Sequence, residues 1–403
     1  MGQYDVLCGG PEIEKRPILP YSDIVCDFLD AYSSALRHDY QAKSYPDIRT
    51  FAFWIRKANI QSLKQQYIES FGREFRLGKG IIFHIAPSNV PVNFMYSYVF
   101  GLLAGNSNIV RVPTKGFPQI ECMCRVLNLL LQQDLYSEIT KRTLIVRYGH
   151  SKECTDYFSK MCNLRVIWGG DDTIQAIRQS QLPPRSTEIT FADRYSFGII
   201  ALEELKNVSS KELEGLAEKF YNDTFLMDQN ACSAPHLIMW KTAPHILQKE
   251  TQKIKEQFWL SVEKTAEKYD FPDRKSSEKY CLLCEKAAEG PAVQKANKYH
   301  SNRLFVCDVD IAEEASVETL RGKFGLFYQC DIDNLDALWI LNSEKVQTCA
   351  YYGVNPIEIR EWIAEKGIVG IDRIVPFGST LDIGVVWDGY NLIAQMSRCI
   401  TAI

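Results

Sequence analysis

The residue best suited to covalent chemistry is Cys232, which lies within the stretch Met227-Asp228-Gln229-Asn230-Ala231-Cys232-Ser233-Ala234-Pro235. A cysteine attacks as its thiolate and needs room for an acyl carbonyl to approach. Small neighbours leave that room, and nearby backbone N–H groups can hold a developing oxyanion. The alternative is that Cys232 is one of 13 cysteines and packs in a core, where thiols are inert. The rest of the chain decides between the two.

A nucleophilic thiol also needs help to ionise. Near its unperturbed pKa, about 8.5, it is mostly protonated at neutral pH, so a local positive field is required. His236 is close in sequence, but a histidine in a strand-like segment more often has a structural role. Cys281 and Cys284 form a C-x-x-C pair without the second ligand pair that a zinc site needs, so we expect no metal.

Strands and helices alternate in the first half of the chain. Residues 21–77 have the apolar spacing of helices, with Pro46 opening one of them and Ser44 as its expected cap. From Gly80 onward, the predicted strands span 80–85, 108–112, 143–147 and 164–168. The predicted helices span 93–104, 119–131 and 151–161, and a further helix runs through Arg178. This rhythm predicts an α/β fold with a doubly wound parallel sheet.

Three predicted strand ends carry groups suited to a nucleotide. In doubly wound sheets the ligand lies beyond the carboxyl ends of the strands. Glycines there let the backbone approach a phosphate, and a basic residue can bind ribose or an extra phosphate. The three ends are Ala86–Asn89, Arg111–Lys115 and Gly169–Thr173. The common G-x-G-x-x-G fingerprint is absent, so these spacings favour a nucleotide site without specifying one.

The second half repeats the alternation less regularly. A strand is predicted at 195–200, a charged helix at 209–221 and a further strand at 237–240, after the Cys232 stretch. The later predictions are solvated helices over 245–289, strand-like segments over 302–328, helices over 342–351 and 356–366, and a turn-rich tail over 370–389.

Size and composition narrow the class of protein. A chain of 403 residues is too long for one hydrophobic core, so we expect two domains. The net charge of −4 gives no reason to expect nucleic acid as a partner. No apolar run has the length of a signal peptide or a transmembrane helix. The odd, scattered cysteines are typical of a reducing compartment, and we expect a cytoplasmic protein.

Several motifs together resemble a known superfamily. Ile85-Ala86-Pro87-Ser88-Asn89-Val90-Pro91, Gly101-Leu102-Leu103-Ala104-Gly105-Asn106 and Asp228-Gln229-Asn230-Ala231-Cys232 are similar to segments of aldehyde dehydrogenases. A narrower resemblance, to the LuxC-like acyl-CoA reductases, rests on four further stretches: Gly105-Asn106-Ser107-Asn108-Ile109-Val110-Arg111, Trp168-Gly169-Gly170-Asp171-Asp172-Thr173-Ile174, Gly370-Ile371-Asp372-Arg373-Ile374-Val375-Pro376 and Trp387-Asp388-Gly389-Tyr390. The resemblance extends from Gly80 to the C-terminus.

The resemblance implies a fold and a domain division. It implies an aldehyde dehydrogenase-like α/β fold, with a nucleotide-binding domain, a catalytic domain and the active site between them. We expect the first domain to cover 1–194, joined by the tail 375–403, and the catalytic domain to cover 195–374. Relatives in this superfamily associate through a protruding strand, so we expect a homo-oligomer.

The resemblance also implies roles for individual residues. Cys232 matches the acyl-accepting cysteine, and Asn89 matches the asparagine whose amide helps to hold the oxyanion. Asn89 has a simpler alternative as a helix N-cap. The implied cofactor is NADPH, with NADH as the alternative. The residues expected to bind it are Ala86, Pro87, Ser88, Arg111, Gly169, Gly170 and Asp171, with Arg111 where the superfamily has a lysine on the adenosine ribose or its phosphate.

Two positions depart from the aldehyde-oxidising pattern. Ala192 stands where those enzymes carry a glutamate general base. No glutamate precedes Phe324 in Arg321-Gly322-Lys323-Phe324-Gly325, where they carry a ribose-binding one. The first loss suits an acyl reductase, because a base that activates water would hydrolyse the acyl-cysteine.

The function that follows is NADPH-dependent reduction of an acyl thioester to an aldehyde through an acyl-cysteine. The acyl donor is expected to be acyl-CoA or an acylated carrier or synthetase protein. One alternative is the reverse flux, in which a CoA-acylating aldehyde dehydrogenase oxidises an aldehyde. Another is a non-catalytic protein that presents acyl chains to a partner.

Overall fold

Two sheets of mostly parallel strands organise the chain, one in each of two units. The computed structural model describes residues 2–242, 245–289, 293–299, 301–313 and 316–402. The first unit contains the residues up to 192 and those from 385 onward, and the second is Asp193–Gly384. Residues 375–384, which the sequence analysis assigned to the nucleotide-binding domain, therefore lie in the second unit.

The six-stranded sheet of the first unit has the predicted alternation of strands and helices. Its strands, with one outside it, are β1 Asp5–Gly9, β2 Phe75–Gly78 (outside), β3 Ile81–Ile85, β4 Ser107–Val112, β5 Thr143–Arg147, β6 Leu164–Trp168 and β7 Thr187–Phe191. They lie in the order β1-β5-β4-β3-β6-β7, and only β1 is antiparallel to its neighbour. β3 is buried along its whole length, as expected for a parallel strand with covered faces.

Eight helices belong to the described N-terminal part of this unit: α1 Asp23–His38, α2 Pro46–Trp54, α3 Lys57–Phe71, α4 Asn93–Leu103, α5 Pro118–Leu131, α6 Ser137–Thr140, α7 Lys152–Met161 and α8 Asp171–Arg178. Pro46 and Pro118 occupy first-turn positions, where the missing N–H costs nothing. The expected Ser44 cap is wrong, because Tyr45 flanks α2 and no side chain caps it. Ser151 does cap α7, through the backbone N–H of Cys154.

The second unit is built around a seven-stranded sheet. Its strands are β8 Tyr195–Ala201, β9 Pro235–Lys241, β10 Val293–Lys298, β11 Phe305–Val309, β12 Leu326–Ile332, β13 Val346–Tyr352 and β14 Arg373–Pro376. They lie in the order β10-β11-β12-β9-β8-β13-β14, with only β10 antiparallel. The helices are α9 Leu202–Lys206, α10 Ser210–Thr224, α11 Gln248–Thr265, α12 Asp273–Glu289 and α13 Pro356–Lys366.

The helix predicted over 342–351 is wrong. A short 3-10 helix, Leu335–Leu341, ends before it, and the segment itself forms β13 between β8 and β14. β-Branched and aromatic side chains in Val346–Tyr352 fit a pleated surface better than a helix, and burial between two strands favours that choice. Because this segment was predicted as a helix, one residue of the candidate site, Gln347, was missed.

The chain returns to the first unit at its C-terminus. There β15 Val386–Trp387 pairs with β16 Tyr390–Asn391, a short α14 Leu392–Gln395 follows, and β17 Ser397–Ile400 pairs antiparallel with β2. Every described helix is too short or too polar to traverse a lipid bilayer.

Candidate active site

Cys232 lies in the turn between α10 and β9, in the second unit, and its side chain is only partly buried. Three other cysteines of that unit, Cys307, Cys330 and Cys349, are core residues. Cys307 and Cys349 are fully buried, and burial raises the pKa of Cys307 to about 12. The alternative that Cys232 packs in a core like these thiols is therefore not what the structure has. Cys232 is thus more exposed than these core thiols.

The turn that carries Cys232 is held in an unusual backbone conformation. Asp228 and Gln229 both have positive φ angles, 53° and 58°. Neither is glycine, so this conformation needs support from the surroundings. Gln229 supplies it, because its Oε1 accepts from Gly325 N at 2.7 Å and its Nε2 donates to Leu326 O at 3.0 Å. The turn is thereby fixed to the start of β12.

Asp228 anchors the same turn on its other side. Its Oδ1 accepts a hydrogen bond from Lys275 Nζ at 2.8 Å and another from the Tyr269 hydroxyl. Lys275 belongs to α12, so the anchor ties the turn to that helix. Two consecutive left-handed residues thus have side chains bonded to separate parts of the unit, which explains how the turn keeps its geometry.

The sulfur itself accepts a hydrogen bond from a side chain on β13. Gln347 Nε2 lies 3.4 Å from Cys232 Sγ, and Gln347 is fully buried. The backbone is held as well, because Ser196 Oγ donates to Cys232 O at 2.7 Å. Sequence reasoning missed Gln347 because it assigned the residue to a helix. The available signal was a single amide in an apolar, β-branched run.

His236 does not supply the positive field that a thiolate needs. It is buried, it stacks on Tyr195 with ring centroids 5.6 Å apart, and its Nδ1 accepts from Gly322 N at 3.2 Å. Burial, followed by the positive charge of Arg321, lowers the pKa of His236 to about 3. The imidazole is therefore neutral at pH 7, in line with the structural role expected for it.

In the first unit, the loop after β3 contains Ala86, Pro87, Ser88 and Asn89. Ala86 is buried and extends the strand pairing through its N–H to Arg111 O at 3.0 Å, whereas Ser88 and Asn89 are exposed. The alternative role of Asn89 as a helix cap is wrong, because Val92 flanks α4 and no side chain caps it. The Asn89 side chain therefore does not cap α4.

Arg111 lies at the end of β4 with its guanidinium turned toward the end of β5. Its Nε and Nη2 donate to Tyr148 O at 3.3 and 3.1 Å, and its cationic carbon lies 5.4 Å from the centroid of the Tyr148 ring. Burial lowers the pKa of Arg111, though a guanidinium remains charged at any physiological pH. The result is a partly buried cation held at a strand end.

Gly169, Gly170 and Asp171 join β6 to α8. Gly170 is exposed, and a Cβ placed on it would meet no atom within 4 Å, so its backbone is open to a ligand. Asp171 and Asp172 occupy the first turn of α8. Their carboxylates interact favourably with the positive end of the helix dipole, but they also place negative charge where a pyrophosphate was predicted.

Comparison with known proteins places this chain in a family. The model of the LuxC acyl-CoA reductases matches residues 59–399. The chain belongs to the LuxC acyl-CoA reductase family. Membership supports oxidoreductase chemistry on acyl groups or aldehydes. No curated protein matches the chain.

Solved structures support the fold of this LuxC-family chain. It is similar to 1-pyrroline-5-carboxylate dehydrogenase from Thermus thermophilus, with a TM-score of 0.62 and 13% identity over 94% of this chain and 81% of that one. Aldehyde dehydrogenase 21 from Physcomitrella patens gives a TM-score of 0.63 at 11% identity, covering 94% and 85%. A Thermus 1-pyrroline-5-carboxylate dehydrogenase solved with bound NAD gives 0.61 at 14%, covering 94% and 81%. The aldehyde dehydrogenase-like fold is confirmed.

The two departures from the oxidising pattern have structural counterparts in this LuxC-family protein. Ala192 ends the first unit, and the adjacent carboxylate, Asp193, forms an ion pair with Arg321 at 3.1 Å. At Gly322, a Cβ would lie 1.7 Å from Leu326 O, so the backbone excludes any side chain there, glutamate included.

Proposed function

We propose that this protein reduces an acyl thioester to an aldehyde with NADPH, through an acyl-cysteine formed on Cys232. The observation that carries the proposal is the setting of that cysteine. The residue is partly exposed, its sulfur accepts a hydrogen bond from a buried amide, and it lies on a turn anchored through both Asp228 and Gln229. A thiol held in this way meets the geometric needs of a nucleophile.

Acyl transfer is the first step. The Cys232 thiolate attacks the thioester carbonyl, forming a C–S bond and an oxyanion. We propose that the Asn89 amide and the Cys232 backbone N–H stabilise this oxyanion, where one donor is typically worth about 3 kcal/mol. The C–S bond to the donor thiol then breaks, and that thiol leaves with the bonding electrons and takes a proton. One thioester replaces another, so the step is close to thermoneutral.

The second step needs a nicotinamide cofactor, which when bound supplies the hydride that reduces the acyl carbon. Ala86, Pro87 and Ser88 would line its site, and Arg111 would meet the adenosine ribose or its phosphate. Gly169, Gly170 and Asp171 would contribute backbone N–H groups to the pyrophosphate, because the Asp171 carboxylate has the wrong charge for it. The open backbone at Gly170 and the partly buried cation at Arg111 fit such a ligand. Cys232 Sγ is the leaving group as the aldehyde departs.

Water must be kept from the acyl-cysteine for the reaction to yield aldehyde. Ala192 has no group that can take a proton from water, and the neighbouring Asp193 carboxylate is paired with Arg321. The pKa of His236 is lowered to about 3, so this imidazole is a weak base. Its Nδ1 also accepts a hydrogen bond from Gly322 N, so that atom is not available to take a proton from water. These features favour an acyl intermediate that waits for hydride.

Intact-mass spectrometry tests the proposal directly. Mixing the protein with a panel of acyl-CoAs should add one acyl mass, and NADPH should then discharge it with release of aldehyde. Cys232→Ala should abolish both signals. Cys281→Ala is the matched control, because Cys281 is an exposed thiol on α12 that the reaction does not use. Acyl labelling that persists in Cys232→Ala and disappears in Cys281→Ala would refute the assignment.

The direction of the reaction is tested separately. Initial rates with acyl-CoA and NADPH are compared with initial rates for aldehyde, CoA and NADP⁺ at equal enzyme concentration. We expect the reductive rate to be the larger under cellular ratios of reduced to oxidised cofactor. A dominant oxidative rate would instead identify a CoA-acylating aldehyde dehydrogenase that uses the same cysteine.

A further inference from the structure

We propose that the Gln347 side-chain amide stabilises the Cys232 thiolate by donating a hydrogen bond to Sγ, which makes Gln347 a catalytic residue. This inference rests on the proposed function, in which Cys232 is the nucleophile. Nε2 and Sγ are 3.4 Å apart, a normal distance for an N–H···S hydrogen bond. Gln347 is completely buried, so its amide is shielded from bulk water.

The orientation of the amide follows from its two ends. Thr348 Oγ1 donates to Gln347 Oε1 at 3.2 Å, which directs Nε2 toward the sulfur. The chemistry gives the same answer, because a carbonyl oxygen facing a thiolate would be repelled whereas an N–H is attracted. The donor is therefore the end that a nucleophilic sulfur needs.

An irregularity in the sheet aims Gln347 at the turn. β13 pairs with β8 through Val346 and Tyr195 and then through Thr348 and Ser196, so Gln347 is one extra residue between them. A bulge of this kind redirects a side chain out of the regular alternation. The opposite edge of β8 has a matching shift, where His236 is the extra residue of β9. The turn that carries Cys232 leads directly into that second bulge.

One hydroxyl holds the donor and the acceptor in register. Ser196 Oγ on β8 donates to Cys232 O at 2.7 Å and accepts from Thr348 N at 3.2 Å. The backbone of the cysteine and the backbone next to the glutamine are thus attached to the same atom, itself fully buried. Sγ and Nε2 are held together by this common support as well as by their own contact.

A neutral donor suits this reaction better than a charged partner. A carboxylate would destabilise the thiolate and could activate water, and the imidazole of His236 is neutral. Several charged groups on the adjoining elements are paired, among them Arg194 with Asp372. Asp228 pairs with Lys275, and Arg321, which pairs with Asp193, acts on His236 together with Lys323. A hydrogen bond to the charged form of an acid lowers its pKa.

The test measures the pKa of Cys232 by itself. The full-length protein is alkylated with iodoacetamide across pH 5 to 10, and the rate at each cysteine is read by peptide mass spectrometry. Gln347→Met keeps the size and removes the donor, so the Cys232 pKa should rise by about one unit and the rate below that pKa should fall roughly tenfold. Gln347→Glu should raise it further, because a second negative charge faces the sulfur.

The matched control is Gln329→Met, the same change at another buried glutamine of the same sheet. Gln329 accepts from Trp240 and Trp259 and donates to Asp308, so its loss should lower stability and leave the Cys232 pKa unchanged. Cys281, Cys284 and Cys399 are exposed and serve as internal references in every sample.

The outcomes separate this inference from the proposed function. An unchanged Cys232 pKa in both Gln347 variants would overturn the role of Gln347, even if acyl-CoA still labels Cys232. Loss of stability with no shift in the alkylation profile would likewise identify a purely structural glutamine. Failure of acyl-CoA to label Cys232 in the unaltered protein would refute the proposed function, whatever the pKa of the thiol.

Discussion

Each unit holds a chain of buried, hydrogen-bonded polar side chains that includes a serine, yet only one of the two chains ends at the candidate nucleophile. In the first unit, Ser97 Oγ lies 2.7 Å from His84 Nδ1, and His84 Nε2 lies 2.9 Å from Asn108 Oδ1. Trp168 Nε1 donates to Ser97 Oγ at 3.0 Å. Ser97, His84 and Asn108 are all essentially inaccessible to solvent. Types and spacing that resemble a catalytic arrangement here form a closed structural network.

The second unit uses similar residues to a different end. Ser196, Thr348 and Gln347 are also buried and also linked by hydrogen bonds, but the chain ends at the sulfur of Cys232, a residue that is only partly buried. The difference between the two networks is access rather than composition. A buried network whose donors and acceptors match each other stabilises a fold, whereas one that ends at an accessible atom can act on a substrate.

The largest expected effect tests this contrast with one substitution in each network. Cys232→Ala should reduce aldehyde formation by more than about 1,000-fold, because the covalent path is removed, with little change in unfolding free energy. Ser97→Ala should lower the free energy of unfolding by about 1–3 kcal/mol, because it leaves buried partners unsatisfied, and acyl labelling should remain. Acyl-CoA labelling and urea unfolding measure the two quantities. Loss of labelling in folded Ser97→Ala would contradict the distinction.

The next prediction concerns the pH dependence of stability that a buried histidine causes. Burial lowers the pKa of His84 to about 4, against 6.5 for an exposed imidazole. Between these values the unfolded chain binds more protons than the folded one, so the contribution of His84 is complete above pH 6.5. It is lost as the pH falls toward 4, by about 3 kcal/mol in all. His236 acts in the same direction.

A carboxyl group in the second unit opposes this trend. Burial raises the pKa of Asp223 to about 6, so its contribution to stability is fully present below pH 3.8 and is lost as the pH rises through 6.

The variant His84→Gln isolates the contribution of the histidine. Urea unfolding at pH 7 and pH 5 should show a smaller loss of unfolding free energy at the lower pH in that variant than in the unaltered protein. An equal loss in both would show that His84 is not the neutral, buried base described here.

Arg111 gives a smaller effect that distinguishes the roles of the two units. Arg111→Ala should raise the KM for NADPH about tenfold, as expected for the loss of one charge-assisted hydrogen bond, and raise the KM for NADH less. Acylation of Cys232 without cofactor should be unchanged, because the proposed role of Arg111 is to contact the cofactor and not the acyl group. The same two KM values are measured in Lys115→Ala, which removes a different cation from the loop after β4. Equal changes for both cofactors would remove the argument for NADPH.

How much the sequence predicted differs between the units. In the first unit, β3 to β6 and the helices α4, α5 and α7 were predicted within one or two residues, because each of these strands is a short apolar run closed by a loop and a helix. The strands β1 and β7 were not predicted. β5 and β6 match residue for residue. In the second unit, β13 was taken for a helix, because periodicity cannot separate a short buried strand from a buried helix. The decisive features of the candidate site, two bulges and a shared hydroxyl, depend on pairing between distant strands, which no local pattern encodes.

The smallest expected effect on stability is at Gly170 in the first unit, and Gly322 in the second unit provides the contrast. Gly322→Ala should be strongly destabilising, because its Cβ would lie 1.7 Å from Leu326 O. Gly170→Ala should change the free energy of unfolding by less than about 0.5 kcal/mol, because that Cβ would meet nothing within 4 Å. If a pyrophosphate approaches the Gly170 backbone, however, the added methyl group should raise the KM for NADPH several-fold while stability stays the same. Thermal unfolding and cofactor kinetics on Gly170→Ala therefore distinguish open surface from a ligand site, and an unchanged KM would remove Gly170 from the proposed cofactor site.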